Sequence, residues 1–558
     1  MTAASLPPRR VSLEPRADGS VAGVIHVHTD RSDGRNAPED VAAIAARAGL
    51  TFLVFTDHGD ATRPPDAPVY RSGVLCIDGV EISTSAGHYV AIGLPASPYP
   101  LGGEARDVAE DVARLGGFGV AAHPDSPKAD LRWGDWAVPV DGIELLNPDT
   151  SWRTLVQDGW RSRFRLFQGL FTYPFRSPET IAGLLTDPQE NLTRWNALTE
   201  RRKVVGLAGT DAHAKLALMD IASGDNRYTL PLPGYEASLR TLSVHVRPGG
   251  PLTGDAATDA AAILSGLRAG HTYVAVDGLA TPASFEFTAE RAGNLVAQGG
   301  DDMPAGEPVT LRVRSNAPAT FMATIWQGST ALKSGPPAEL TADVGAQPAV
   351  YRADIRTPGG RTWLFSNPIY VRGSSSADAR PARSAGQSAF TLFDGRASAA
   401  EWRTEADLVS SAEFRVAPVP AAPLGPRSDS VEIELTYRLA GVQATPPHAA
   451  LLAQTSQAVP DSDRLAFTAR ADRPMRVSVQ LRTGPSSGPE ERWQRSVYLD
   501  ATTRDYVVSF DEMTPVGQTR TAQPALAEIR DVIFAVDRTN AQPGASGQVW
   551  IGRVAFER

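Results

Sequence analysis

The chain has 558 residues and a formal net charge of −9, with 9 His and a single Cys. This length corresponds to roughly three to four domains of ordinary size. The hydrophobic share of 42% is enough for real cores, which excludes wholesale disorder. The lone Cys76 excludes an internal disulfide framework and any thiolate zinc site. The negative net charge argues against a surface that mainly binds nucleic acid.

The sequence shows no membrane-spanning segment and, as written, no signal peptide. No stretch reaches the ~18 consecutive apolar residues that a spanning helix needs. Residues 1–20 lack the apolar centre of a signal peptide. Two interpretations of the compartment stay open: cytoplasmic, or periplasmic or secreted if a leader is missing from this chain.

Residues 20–280 alternate between short apolar runs and helical patterns. In 37–49, Pro38 stands at the first turn, apolar residues follow at helical spacing, and Gly49 closes the pattern. Such alternation is typical of a parallel sheet or an α/β barrel. The predicted strands are 21–28, 51–58, 74–83, 88–94, 117–125, 142–147 and 203–213, and the predicted helices are 37–49, 104–115 and 188–202.

After residue 280 the helical patterns stop and short alternating runs begin, as in 308–316 and 349–356. We therefore predict an Ig-like β-sandwich over 281–373. Residues 374–387 are rich in Ser, Ala, Pro and Arg and predict a linker. Alternating runs resume over 388–558 and favour a β jelly roll.

Histidine and carboxylate residues stand at the ends of the predicted N-terminal strands, a position where α/β barrels gather functional groups. His26 with His28, and Asp211 with His213, are two residues apart, so each pair is expected to share a face. Nitrogen and oxygen donors suit Zn, Mn or Fe. A single histidine here is more often a satisfied polar residue, but so many together favour a metal site. The other members of the set are Asp33, Asp57, His58, Glu81, His88 and His123.

These motifs, HVHTDRSDG, LVFTDHGD, GVEIS, AAHPD and GTDAH, resemble in order and spacing the PHP (polymerase and histidinol phosphatase) metallohydrolase domain. The resemblance covers about residues 20–280 and implies a distorted seven-stranded, TIM-like (β/α) barrel holding up to three divalent ions. Carrying residues over by motif, the resemblance implies three ligand sets. The ligands of the first ion are His26, His28, Glu81 and Asp211, and those of the second are Asp33, His58 and His213. The ligands of the third ion are Glu81, His88 and His123, and Glu81 bridges the first and third ions.

Asp57 precedes a ligand, and two roles stay open for it: orienting a histidine ring, or capping the strand end. The GHYVAIG run at 87–93 resembles the branch of the family that includes carbaryl-type ester hydrolases.

The function expected from this site is a phosphoesterase with a metal-bridging hydroxide, in which a metal-bound water or a histidine such as His88 or His123 protonates the leaving group. A carboxyl or carbamate ester hydrolase is one alternative. A non-catalytic glycan-binding or surface-binding protein is another.

Residues 151–179 carry many aromatic and arginine side chains and follow a predicted strand. Three interpretations stay open: a cap whose arginines, such as Arg161 and Arg163, grip an anionic substrate, a helical hairpin that packs its aromatics, or an interfacial helix on a membrane. Lys215 follows His213 by two residues, and is either a phosphate-binding cation or a solvated residue.

The C-terminal region offers no catalytic constellation. Its aromatics, such as Trp402 and Trp493, either line a glycan-binding face or belong to a core.

Overall fold

The computed structural model describes residues 6–217, 229–373, 388–398, 400–419, 430–441, 446–455, 457–484 and 490–558. By their contacts these residues form two compact units. The first is drawn from 1–96 and 104–378, and the second from 97–103 and 379–558. None of the described helices has the length and apolar character that crossing a membrane requires.

The first unit contains both helices and strands. Its helices are α1 Pro38–Ala48, α2 Ala105–Arg114, α3 Pro148–Gln157, α4 Gly159–Thr172, α5 Ser177–Leu184, α6 Gln189–Thr199, α7 Tyr235–Leu239 and α8 Ala256–Ala269. Its strands up to the end of the predicted barrel are β1 Val11–Ser12, β2 Val21–Val27, β3 Phe52–Phe55, β4 Val69–Arg71, β5 Val74–Thr84, β6 Gly87–Ile92, β7 Phe118–Ala121, β8 Gly142–Leu146, β9 Val205–Ala212, β10 Leu216–Ala217, β11 Thr229–Leu230, β12 Ser243–Val246 and β13 Thr272–Ala275.

The strands that follow belong to the all-β part of the first unit. They are β14 Ala280–Thr281, β15 Phe285–Arg291, β16 Asn294–Gln298, β17 Asp302–Pro304, β18 Val309–Ser315, β19 Met322–Gln327, β20 Thr330–Gly335, β21 Glu339–Val344, β22 Ala349–Arg356, β23 Thr362–Ser366 and β24 Ile369–Arg372. The strands and helices predicted above coincide with these elements to within a few residues.

Seven of the described strands close into a barrel. β2, β3 and β5 pair in parallel, β7, β8 and β9 pair in parallel, and β9 pairs in parallel with β2. β6 completes the ring and runs antiparallel to both β5 and β7. The predicted closed barrel of seven strands is therefore confirmed, while its likeness to a TIM barrel stays a prediction.

Helix α1 shows how local sequence sets the elements around the barrel. Pro38 stands at its first turn, where the missing backbone N–H costs nothing. Gly49 ends the helix at φ 82°, a left-handed conformation that glycine adopts without strain. Val41 and Ala45 are buried, so the apolar stripe of the helix faces the core.

The barrel sheet continues into the all-β part of the first unit. β12 pairs with β2 and with β13, and β13 pairs with β23. Phe285, Phe287 and Trp363 are fully buried in the core of this part. The predicted boundary at 280 and 281, and the Ig-like assignment, stay predictions.

The second unit consists of two sheets of six strands among the described residues. Trp493 is fully buried in its core, and Trp402 packs its ring on Phe393 at the core's edge. Both tryptophans therefore follow the core interpretation. The predicted linker 374–387 lies outside the described residues, and the jelly-roll topology stays a prediction.

The strands of the second unit are β25 Ser388–Phe393, β26 Glu401–Ala406, β27 Ser411–Pro418, β28 Val431–Arg438, β29 His448–Gln454, β30 Arg464–Ala471, β31 Met475–Thr483, β32 Arg492–Leu499, β33 Arg504–Ser509, β34 Thr514–Pro515, β35 Ile529–Asp537 and β36 Ser546–Glu557.

Gly23 on β2 allows a close approach of the neighbouring strand. A Cβ atom at Gly23 would lie 2.3 Å from the ring of the buried Phe52 on β3. We expect Gly23→Ala to lower the free energy of unfolding by about 1–3 kcal/mol through overpacking. Thermal unfolding measures the loss. Gly250→Ala is the matched control, because nothing lies within 4 Å of a Cβ there. Equal melting temperatures for the two variants would contradict the packing argument.

Candidate metal centre

The barrel brings the predicted ligands to one edge. His28, His58 and His123 follow β2, β3 and β7, and Asp211 lies near the end of β9. Because the carboxyl ends of parallel strands meet at the same edge, residues distant in sequence become neighbours there. Glu81 joins them from the long strand β5.

Four donor atoms lie at nearly equal separations. His26 Nε2 is 3.3 Å from Glu81 Oε2 and 3.4 Å from Asp211 Oδ1. His28 Nε2 is 3.2 Å and 3.3 Å from the same two oxygens. Four ligands about 2.0–2.1 Å from one ion in a tetrahedron lie about 3.3–3.4 Å apart. The four nitrogen–oxygen separations within the set assigned to the first ion therefore match those of a four-coordinate site.

Strand irregularities aim these side chains. His26 has φ 63°, Asp211 has φ 49° and His123 has φ 28°, values that residues with a Cβ rarely adopt. The pairing register of β2 with β9 shifts beside His26, as at a β-bulge. His26 and His28 therefore converge through a bulge, and the simple alternation assumed from the sequence does not describe this strand.

A second donor set surrounds Asp33, in the loop after β2. Asp33 Oδ1 lies 3.1 Å from His213 Nε2, 3.6 Å from His28 Nδ1 and 3.8 Å from His58 Nε2. These donor atoms all fall within 4.8 Å of one another. The structure thus brings together the three residues assigned to the second ion and adds His28 to them.

A third donor set shares Glu81 with the first and consists of His58, Glu81 and His88. His88 Nδ1 lies 2.8 Å from Glu81 Oε1. His123 Nε2 lies 3.0 Å from the same oxygen, but His123 is not part of this compact set. His58 stands in the set where the resemblance placed His123. Whether His123 ligates the third ion stays a prediction.

The buried nitrogens at the centre fit a divalent metal. His26 Nε2 and both ring nitrogens of His28 have no hydrogen-bond partner among the described residues, and both side chains are fully buried. Leaving buried polar atoms unpaired is costly, and an ion between them removes that cost. The nitrogen and carboxylate donors suit Zn, Mn or Fe.

Glu144 on β8 orients the ligands, and sequence reasoning missed it. Glu144 Oε1 lies 2.5 Å from His26 Nδ1, which must donate because a carboxylate accepts. This leaves His26 Nε2 free for an ion, as in other carboxylate–histidine–metal arrangements. Glu144 Oε2 accepts hydrogen bonds from the backbone N–H of His123 and from the side-chain amide of Asn147. The sequence does carry one signal for Glu144, because it is the acidic residue within the otherwise apolar run of strand β8.

Opposite charges surround the buried carboxylates of the centre. Burial would raise the pKa of Glu81, but the charge of His26 and the hydrogen bond from His123 hold that pKa well below its usual value. Burial would lower the pKa of His123, but its bond to Glu81 raises it to about 9. Burial would likewise lower the pKa of His213, but its hydrogen bond to the Asp33 carboxylate raises that pKa to about 9. The ionised carboxylates therefore attract cations to one place.

Asp57 holds the loop that carries Asp33. Its Oδ1 accepts from the Thr29 backbone N–H at 2.7 Å and from Ser32 Oγ at 2.6 Å, and its Oδ2 accepts from Thr29 Oγ1 at 2.7 Å. These contacts favour the capping role over the orientation of a histidine ring.

A cavity of about 280 Å³ adjoins the centre, with Asp211 and His213 in its wall. Lys215 also lines it, and the choice between a phosphate-binding cation and a solvated residue stays a prediction. Arg161 and Arg163 are not among its lining residues: Arg161 stacks on the Trp160 ring, and Arg163 donates to the Val156 carbonyl. Their predicted grip on substrate is not supported by these contacts. The apolar part of the lining includes Trp152, Val156, Leu166, Ile181, Leu184, Leu216 and Leu232.

No protein-family model matches the chain, and no curated protein matches it either. Among solved structures, a two-domain protein from Bacteroides vulgatus containing a predicted PHP-like metal-dependent phosphoesterase is 14% identical, with 65% of this chain and 99% of that chain covered and a TM-score of 0.30. A family 11 carbohydrate-binding module from a cellulosomal cellulase of Clostridium thermocellum is 11% identical, with 30% and 95% covered and a TM-score of 0.24. The function must therefore be argued from the side chains of this chain.

Replacing Glu144 tests its orienting role. Glu144→Gln keeps the shape but sets an amide NH2 against one of the N–H groups that the carboxylate accepts. We expect metal affinity to fall about 10–100-fold, measured by competition with a chelator. Glu307→Gln is the control, because the Glu307 side chain is 64% exposed on the all-β part. Unchanged affinity in a folded Glu144→Gln protein would refute the role.

Proposed function

We propose that the chain is a metal-dependent hydrolase of ester bonds, with phosphate esters as the first substrate class and up to three divalent ions. The observation that carries the proposal is the first donor set, in which the Nε2 atoms of His26 and His28 each lie 3.2–3.4 Å from both Glu81 Oε2 and Asp211 Oδ1. Two further sets adjoin it through Glu81 and His28. When bound, such ions activate water and stabilise the negative charge that develops on the substrate.

The protein's own residues divide the site by depth. His26 and His28 are fully buried, whereas the side chains of His58 and His213 are 33% and 20% exposed. The deep residues would hold ions away from solvent, and the outer ones border the side from which a substrate enters. Lys215 in the cavity wall adds a positive charge for an anionic substrate.

Of the two histidines predicted to donate a proton, His88 is the better placed. Both ring nitrogens of His123 are engaged, Nδ1 by the Leu131 carbonyl and Nε2 by Glu81. His88 also meets Glu81 through Nδ1, but its Nε2 faces Ser83 Oγ at 3.4 Å near the surface. A histidine that ligates an ion is a poor acid, so we assign protonation of the leaving group to His88 only for a site in which the third ion is absent, and to a metal-bound water when all three ions are held.

Removing a shared ligand tests the proposal. His28→Ala and Asp211→Ala each delete a donor from the first set, so we expect loss of bound metal and a fall in kcat/KM of about a thousandfold or more. Elemental analysis and a phosphatase and esterase panel with Mn, Fe and Zn measure the two effects. The control is His448→Ala in the second unit. Full activity in metal-depleted His28→Ala protein would overturn the proposal.

The cavity favours a second candidate, a carboxyl or carbamate ester hydrolase. Its lining is largely aliphatic and aromatic, as suits an apolar leaving group. The same site would then direct attack at carbon instead of phosphorus. A purely glycan-binding or surface-binding protein predicts binding that survives metal removal, and nothing in the metal centre favours it.

Lys215 separates the two ester classes. If phosphate esters are the substrates, Lys215→Ala removes a charge-assisted contact and raises KM for p-nitrophenyl phosphate about tenfold or more. Its effect on a neutral 1-naphthyl ester would be small. Steady-state kinetics on both substrates, with Lys333→Ala as control, measure the difference. Cleavage of naphthyl esters alone by the wild-type protein would select the second candidate.

A further inference from the structure

Helix α4 carries an apolar stripe that faces outward. Trp160, Phe164, Phe167 and Phe171 recur every three or four residues and so share one face of the helix. Their exposed fractions are 74%, 53%, 54% and 48%, and Phe175, just beyond the helix, is 71% exposed. Contiguous exposed apolar surface of this kind marks an interaction site.

Arginine is the charged residue that accompanies this stripe. Residues 159–176 contain Arg161, Arg163, Arg165 and Arg176 and no acidic residue, in a chain whose net charge is −9. Arg163 and Arg165 donate to the carbonyl oxygens of Val156 and Gly183, which are neutral acceptors. The patch thus combines exposed aromatics with local positive charge against the sign of the whole molecule.

We propose that the stripe of Trp160, Phe164, Phe167 and Phe171 docks the protein on an anionic lipid bilayer. A helix with aromatic residues on one face and arginines beside it lies in the plane of a membrane interface, with the aromatics in the acyl boundary and the cations at the headgroups. Trp160 at the helix start suits the interface, where tryptophan is enriched. Charge complementarity selects an acidic lipid surface over a neutral one.

Docking has a consequence for the centre, and this consequence alone rests on the proposed function. Leu166, Leu170 and Tyr173 of the same segment line the cavity beside His213. A docked helix would therefore hold the cavity close to the lipid surface. The substrates favoured by this placement are esters with an apolar group that partition into a bilayer.

Cosedimentation of the full chain with lipid vesicles tests the docking. One set of vesicles is pure phosphatidylcholine and the other contains about 30 mol% phosphatidylserine. We expect binding to the anionic vesicles that weakens as salt rises from about 0.05 to about 0.5 M. Phe164→Ser with Phe167→Ser should lower that binding about tenfold, and Arg161→Gln with Arg163→Gln should reduce its salt dependence.

The control pair is Leu295→Ser with Leu332→Ser, which alters two residues that are 65% and 41% exposed on the all-β part. Far-UV circular dichroism and metal content of the Phe164 and Phe167 variant should match those of the wild type, so a failure of docking is distinct from a failure of the metal centre.

Three outcomes would overturn the proposal. They are absence of vesicle binding, binding that the Phe164 and Phe167 variant retains, and equal, salt-independent binding to both vesicle types. Analytical ultracentrifugation tests a further outcome that would overturn it. If the wild type is a dimer that the Phe164 and Phe167 substitutions dissociate, and no vesicle binding is seen, the face belongs to an interface with a second copy of the chain.

Discussion

The carboxylate of Glu81 is the group around which the first unit is arranged. Its two oxygens lie within 2.8–3.3 Å of nitrogens of five histidines from four separate parts of the chain. A buried carboxylate is strongly destabilising unless cations or hydrogen bonds surround it. The barrel satisfies this requirement because its closure brings the ends of β2, β3, β6 and β7 around the one strand that carries the acid.

That arrangement is maintained at the cost of backbone strain. His26, His123 and Asp211 all have positive φ, which costs of order 1–3 kcal/mol at each position. Strain of this size persists where surrounding structure overdetermines the conformation, and here the ring of paired strands does so. Glu144 adds to this by fixing the His26 ring and the His123 backbone N–H from one side chain. The strain and the orienting carboxylate therefore serve the same set of donors.

Sequence reasoning reached the elements and most of the residues that the structure brings together at the centre, for physical reasons that are local. Apolar runs, the Pro38 start and the Gly49 stop of α1 are encoded within a few residues. Histidines at successive strand ends converge wherever such strands form a barrel. Glu144 was missed because its role depends on a neighbour 118 positions away, and the bulge at His26 depends on pairing with β9. The role of Arg161 and Arg163 stayed open between three interpretations because sequence order does not tell which face of a helix points to a cavity.

The surroundings of the centre bear on the choice between phosphate and carboxyl esters. Apolar walls do not disfavour a charged substrate, because a low local dielectric strengthens the attraction between bound cations and an anionic oxygen. They disfavour a charged leaving group, which would lose its hydration against Leu184 and Leu216. Both candidates therefore require an ester whose reacting end is polar and whose leaving group is apolar. The two chemistries differ in the atom attacked, phosphorus or carbon, and in whether the substrate carries a negative charge that Lys215 can bind.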